Sequence, residues 1–205
     1  MIDIRIPSGA WSLAATLSGE HPRLVFLHPG VADRRCWCDV MSALVPDFPA
    51  VAYDRRGFGE TPAADAPFVD VDDLRAVLDA CVAGPAVLIG NSQGGRIAID
   101  FALAHPERVD RLVLIAPAVS GAPEPDWVAE IGQSLVDLIE AAEAAVDLDE
   151  VNRLEALIWL DGPAGPEGRV GGTMRDLFLA MNLVALKNES APQSTPMGRR
   201  VGPVR

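Results

Sequence analysis

Short unbroken apolar runs alternate with longer amphipathic stretches through the first half of the chain. Arg23-Leu24-Val25-Phe26-Leu27, Ala50-Val51-Ala52-Tyr53, Ala86-Val87-Leu88-Ile89 and Leu112-Val113-Leu114-Ile115 have the pattern of strands covered on both faces. Ile2–Ile6 and Leu13–Leu17 flank Pro7-Ser8-Gly9, which predicts a hairpin. Between the buried strands, the spacing predicts helices over Trp37–Leu44, Val71–Val82 and Gly95–Ala104. Asp70 and Asp72 suit the N-terminal cap of the second helix. Strands alternating with helices define an α/β chain with a doubly wound, mostly parallel sheet. Ligands of such sheets gather beyond the carboxyl ends of the strands. His28-Pro29-Gly30, Asp54-Arg55-Arg56-Gly57 and Gly90-Asn91-Ser92 each follow a strand directly, so three polar turns converge on one rim.

The pattern changes near Pro117. Helical periodicity runs over Trp127–Ala145, Glu150–Leu160 and Thr173–Lys187, with Leu160-Asp161-Gly162-Pro163-Ala164-Gly165-Pro166 separating the last two and no further strand. This predicts a helical cap over the rim. Trp127, Trp159, Phe178 and Met181 either line its pocket or form its own core. The final fifteen residues carry three arginines, three prolines and no acid. The expected organisation is a partial α/β core over 1–120, a helical cap over 121–190 and a disordered or non-native tail over 191–205.

Composition narrows the class. At 205 residues with 49% apolar content and a mean hydropathy of +0.20, the chain suits one folded domain with a sizeable core. A net charge of −12 disfavours nucleic acid and anionic membranes as partners. The N-terminus alternates and carries charges where a signal peptide needs an apolar block. No apolar run approaches a membrane span. Three cysteines argue against a disulfide framework, so a reduced cytoplasmic setting is expected. Cys36-Trp37-Cys38 lacks the second ligand pair that a zinc site needs, and no metal, nucleotide or flavin site is suggested.

The chemistry concentrates at Gly90-Asn91-Ser92-Gln93-Gly94, between an apolar strand and a helical pattern. A catalytic serine must stand clear of its own backbone beside an N–H that meets a developing oxyanion, and a strand–turn–helix with Ser at its apex meets both needs. The flanking glycines remove side chains where strand and helix would collide. Such a serine needs a base, normally His, oriented by a carboxylate. His21 and His28 precede it, and His105 ends the helix that Ser92 begins. At about 1.5 Å per residue, His105 lies some 15–20 Å away and cannot be that base.

Phe26-Leu27-His28-Pro29-Gly30, Asp54-Arg55-Arg56-Gly57-Phe58-Gly59, Gly90-Asn91-Ser92-Gln93-Gly94-Gly95 and His105-Pro106-Glu107-Arg108-Val109, in this order and spacing, resemble the α/β-hydrolase superfamily over roughly residues 1–190. In tone the chain is similar to its cofactor-free ester, lactone and C–C bond hydrolases; Ser92 argues against the dehalogenases and epoxide hydrolases, which use Asp at the elbow. The resemblance implies Ser92 as nucleophile, the Gln93 N–H as one oxyanion donor and Gly30 as the other, with Val31 next in line. It implies a small-molecule substrate and no cofactor. His28 is expected to brace its turn, Asp54 and Arg55 to organise the neighbouring loop, and Trp37 to pack the first helix onto the sheet.

Family members continue past the cap with two further strands that carry the acid and the histidine. Two more βα units need roughly 60 residues. Glu124 and Asp126 are the available stand-ins for the acid, and nothing supplies the imidazole. The expectation is a C-terminally truncated serine hydrolase with feeble activity alone. A pseudoenzyme or interaction module of the same fold, and a base arriving from another chain, are the alternatives. Without a covering strand, Arg111–Ala116 becomes a hydrophobic edge, so self-association is expected.

Overall fold

The structure is a computed structural model that describes residues 1–44, 47–123 and 126–188, the side chains of Trp127 and Val128 excepted. The expected tail over 191–205 and Glu124 therefore lie outside the described residues. β1 (Ile2–Ser8) and β2 (Trp11–Ser18) form the predicted antiparallel hairpin. β3 (Leu24–Leu27), β4 (Ala50–Tyr53), β5 (Ala86–Asn91) and β6 (Val109–Ile115) follow. Together they make one sheet in the order β1-β2-β4-β3-β5-β6. β4, β3, β5 and β6 are mutually parallel, and the hairpin joins β4 antiparallel through β2.

Alternation along the strands sends their side chains to two helical layers. Phe26, Ala50, Ala52 and Ile89 face Trp37 and Met41, from the 3-10 turn Arg34–Trp37 and helix α1 (Cys38–Leu44). The Phe26 and Trp37 rings lie 5.0 Å apart, so Trp37 does pack this layer onto the sheet. On the other face Val25, Leu27, Val51, Tyr53 and Leu88 meet Leu74, Val77 and Leu78 of α2 (Asp70–Cys81) and Ile97 and Phe101 of α3 (Gln93–Ala104). Each fully buried aliphatic or aromatic side chain in these layers contributes about 1.5–3 kcal/mol.

The chain runs from β3 outward to β4, then crosses back to β5 on the opposite side of β3. The strand order thus reverses between β3 and β5, and the crevice beyond their carboxyl ends is the topological switch point of the sheet. The turns after β3 and β5 carry Gly30 and Ser92.

Three details differ from the sequence reading. α2 begins at Asp70 itself, so Val69 takes the cap position without a side-chain bond. Asp70, the first residue of the helix, is buried and engaged by Arg96 of α3 at 2.9 Å, and Asp72 also lies inside the first turn. The helix expected over Trp127–Ala145 is two, α4 (Trp127–Ile131) and α5 (Gln133–Ala144), because Gly132 adopts φ 86° between them. α6 (Leu148–Ala156) starts earlier than expected, on an Asp147 cap, and continues into a π-helical turn over Leu157–Asp161.

α7 (Gly172–Lys187) completes the described helices. Ala142, Val151 and Leu154 pack with Leu135, Ile139 and Leu186 as a separate apolar cluster within this segment. Phe178 and Met181 are buried, while Trp159 is half exposed. The segment reaches the rim: α7 packs on the Arg34–Trp37 turn, and Asn188 donates to the Gly57 carbonyl beyond β4 at 2.9 Å. At the sheet's far side β6 is the edge strand, with Leu112, Val113, Leu114 and Ile115 exposed by 37%, 46%, 38% and 44%.

Asp161 pins the break between α6 and α7. Its carboxylate accepts from the N–H groups of Val170 (2.9 Å) and Gly168 (2.8 Å) and from Arg175 (2.8 Å). The Val170 bond, with Arg175 and Gly168 beside it, holds its pKa down at about 2. An unfolded aspartate titrates near 3.9, so this group stabilises the fold above pH 4 and loses its contribution as pH falls toward 2. Asp161→Asn is expected to flatten the acid limb of the thermal stability curve between pH 4 and 2, read by circular dichroism; an unchanged limb refutes the assignment.

Candidate active site

Ser92 stands between β5 and α3 with φ 50° and ψ −115°, a conformation costing about 1–3 kcal/mol for a residue with a Cβ. Backbone bonds hold it there. Its N–H donates to the Ile115 carbonyl at the end of β6, and its carbonyl accepts from Ala118 and Arg96, at 3.0, 3.0 and 3.1 Å. The hydroxyl makes no capping bond to α3. Arg96 opens the helical ladder, so the N–H groups of Gln93, Gly94 and Gly95 have no carbonyl one turn back to receive them. They form the positive end of α3.

The sharpness of this turn depends on absent side chains. A Cβ on Gly90 would lie 2.5 Å from the Gly94 carbonyl oxygen, and one on Gly94 would lie 2.8 Å from that of His28. β5, the first turn of α3 and the end of β3 therefore approach backbone to backbone. Gly30, in the turn after β3, faces the Gln93 amide, whose Nε2 would be 2.8 Å from a Cβ there. Gly30 and Gln93, chosen from the sequence, are thus in contact, and Ser92 adjoins Gln93.

His28 is fully buried, with both ring nitrogens engaged. Nε2 accepts from the Arg55 N–H at 3.1 Å, which leaves the proton on Nδ1 to donate to the Pro29 carbonyl at 2.8 Å. Burial, reinforced by the Arg55 charge, pushes its pKa well below the usual histidine range. It is a neutral brace between two turns, as the sequence suggested. His21 lies in the turn before β3, at the opposite end of the parallel strands from Ser92. His105 closes the far end of α3 with its ring 4.9 Å from Phe101. Asp126 accepts from the Ala129 N–H at 3.1 Å, at the start of α4.

Asp54 organises the loop after β4, accepting from the N–H groups of Arg34 and Glu60, each at 2.8 Å, and pairing with the Arg34 guanidinium. The neighbouring arginines part company. Arg56 turns to Asp73 through two 2.8 Å bonds and stacks against Trp11 and Phe68. Arg55 turns to the Ser92 side and donates to the Gln93 side-chain oxygen at 3.0 Å. The sequence signal for Arg55 was its place directly after a strand, but Arg56 shares it, and only the fold separates them. A surface groove of about 400 Å³ beside the β1–β2 turn is lined by Ser8, Trp11, Arg56 and Arg75, among others, and includes none of Gly30, Ser92 and Gln93. Among the described residues no group of three His, Cys, Asp or Glu is arranged to hold a metal ion, and no helix is long and apolar enough to cross a membrane.

Comparison with known proteins gives the same architecture. The chain is similar to 2-hydroxymuconate semialdehyde hydrolase of Pseudomonas sp. (strain CF600), 44% identical over 109 residues that cover 49% of this chain and 38% of that protein. It is similar to Lipase LipV of Mycobacterium tuberculosis, 34% identical over 130 residues, 61% of this chain and 49% of that one. The chain thus spans about half, or less, of the length of these curated relatives. Among solved structures, esterase RhEst1 from Rhodococcus sp. ECU1013 matches with a TM-score of 0.70 at 24% identity, covering 92% of this chain and 72% of that chain. The sequence model of the alpha/beta hydrolase family matches residues 24–199, well over half of the chain, and the chain belongs to that family.

Proposed function

We propose that this chain carries the nucleophilic half of a serine hydrolase acting on a small ester, lactone or related carbonyl substrate. The observation that carries the reading is Ser92 at φ 50°, ahead of three helix N–H groups and next to Gln93, whose side chain meets Gly30. In the proposed reaction the Ser92 oxygen attacks the carbonyl carbon as a base takes its proton. The N–H groups of Gln93 and Gly30 receive the developing oxyanion, the alcohol leaves, and water then releases the acyl group. Such donors are each worth about 10²–10³ in rate. Helices α4–α7 serve as the cap over the rim, which the contacts of α7 and Asn188 support. The relatives' names support a small organic substrate. No nucleic-acid or membrane partner is proposed, and three free cysteines support a reducing, cytoplasmic setting.

None of the chain's three histidines serves as base in this reading: His28 is engaged through both ring nitrogens, and His21 and His105 stand at remote ends of their elements. The 205-residue chain alone is therefore expected to retain only the fraction of catalysis supplied by oxyanion donors and binding, about 10³–10⁴ over water. The same placement of histidines favours the second reading, an inactive module of this fold. Free imidazole separates the two. Hydrolysis of p-nitrophenyl butyrate is expected to rise with added imidazole beyond the reaction of imidazole itself, and to lose that excess in Ser92→Ala. Equal rates in both proteins would remove Ser92 as nucleophile and leave the inactive module.

The four exposed apolar residues of β6 also support self-association through that edge. Sedimentation velocity is expected to show mass rising with concentration and Val113→Lys to shift the protein toward monomer. A wild-type monomer throughout the range counts against it.

A further inference from the structure

We infer that Arg55 is a positioning residue for the oxyanion site, its guanidinium locking the turn after β3 to the first turn of α3. This deepens the proposed function and rests on the reading of Ser92 as nucleophile. The two proposed donors belong to different connections: Gly30 follows β3, and Gln93 opens α3 after β5. The distance between their N–H groups depends on how firmly the two turns are held together, and hydrogen-bond donors aimed at a transition state lose much of their effect when displaced by about 1 Å.

Arg55 is the side chain that spans them. It leaves the end of β4 and is buried to 5% exposure. Nη1 donates to Gln93 Oε1 at 3.0 Å and Nη2 to the Pro29 carbonyl at 3.2 Å. Pro29 directly precedes Gly30, so one planar fork touches the residue before one donor and the side chain of the other. Further contacts hold this fork in place. The Arg55 N–H donates to His28 Nε2, and His28 Nδ1 donates to the same Pro29 carbonyl that Nη2 reaches. The guanidinium carbon lies 4.2 Å from the centre of the Phe58 ring, which closes one face of the cation. The Gln93 amide, drawn toward Arg55 by its oxygen, presses its nitrogen against Gly30. Arg55, Gln93, Gly30, Pro29 and His28 thus form a closed ring of contacts behind the site.

The chemistry of the side chain matters as much as its place. Guanidinium offers two parallel donors in a rigid plane, whereas a lysine ammonium is a point charge that cannot reproduce both bonds with the same geometry. The charge of Arg55 is not matched by a carboxylate in either bond: both acceptors are neutral carbonyl oxygens.

The test uses the full chain and p-nitrophenyl acetate at pH 9, with acetylation of Ser92 followed by intact and peptide mass spectrometry alongside p-nitrophenolate release. In that reaction the Ser92 oxygen bonds to the acetyl carbon. The bond to p-nitrophenolate breaks with its electron pair leaving on that group, and the serine proton passes to solvent hydroxide. Arg55→Met is expected to lower the saturating acetylation rate by about tenfold to a hundredfold with little change in the half-saturating ester concentration. Arg55→Lys is expected to recover only part of the loss. Gln93→Leu keeps the backbone N–H and removes the acceptor at an exposed position. It is expected to slow acetylation as well, and Arg55→Met on top of it to cost less than in the wild type. Acetylation of Ser92 at the wild-type rate in Arg55→Met, or strictly additive effects of the two substitutions, overturns the role of Arg55 alone. Absence of wild-type acetylation at Ser92 overturns the nucleophile reading and the role of Arg55 with it.

Discussion

The approach of the first turn of α3 to the ends of β3 and β5 is the constraint from which the rest of the rim follows. Gly90 and Gly94 allow these three segments to meet backbone to backbone. The chain must then reverse within a single residue, and Ser92 takes the positive φ that this reversal demands. In that position the Ser92 hydroxyl makes no capping bond to its own helix. The same approach brings Gln93 against Gly30 and puts a fringe of helix N–H groups beside the strand ends.

Much of this was legible in the sequence because it is encoded locally. Runs such as Leu24-Val25-Phe26-Leu27 and Ala50-Val51-Ala52-Tyr53 are apolar at every position only where helices cover both faces of a sheet, and the two core layers use alternate residues of these same runs. The turn at Ser92 was legible because its glycines lie within the motif itself. What escaped depends on partners distant in sequence. Asp70 looks like a helix cap until Arg96 of another helix engages it. Arg55 and Arg56 are adjacent and chemically identical, yet the turn after β4 sends one toward Gln93 and the other toward Asp73. Gly132 reads as a tolerable helical glycine, and its φ of 86° splits the helix.

The electrostatics of the rim are organised from within. The chain carries a net charge of −12, but Arg34, Arg55, Arg56 and Arg96 sit behind the turns with Asp54, Asp73, Asp70 or carbonyl oxygens as partners. These arginines act as rivets between loops that the strands alone would leave independent. Because each of these guanidinium groups is already held by a partner, positive charge near the rim is not in itself a sign of an anionic substrate.

The backbone of Ser92 is tied to the outer strand β6 through Ile115, to the segment just beyond it through Ala118, and to its own helix through Arg96. Peripheral strands fray more readily than central ones, since only one side of their ladder is occupied. The backbone posture of Ser92 is therefore coupled to the opening of an outer strand of the sheet. Whatever steadies that margin also steadies the turn, and fraying at the border reaches Ser92 through its bond to Ile115.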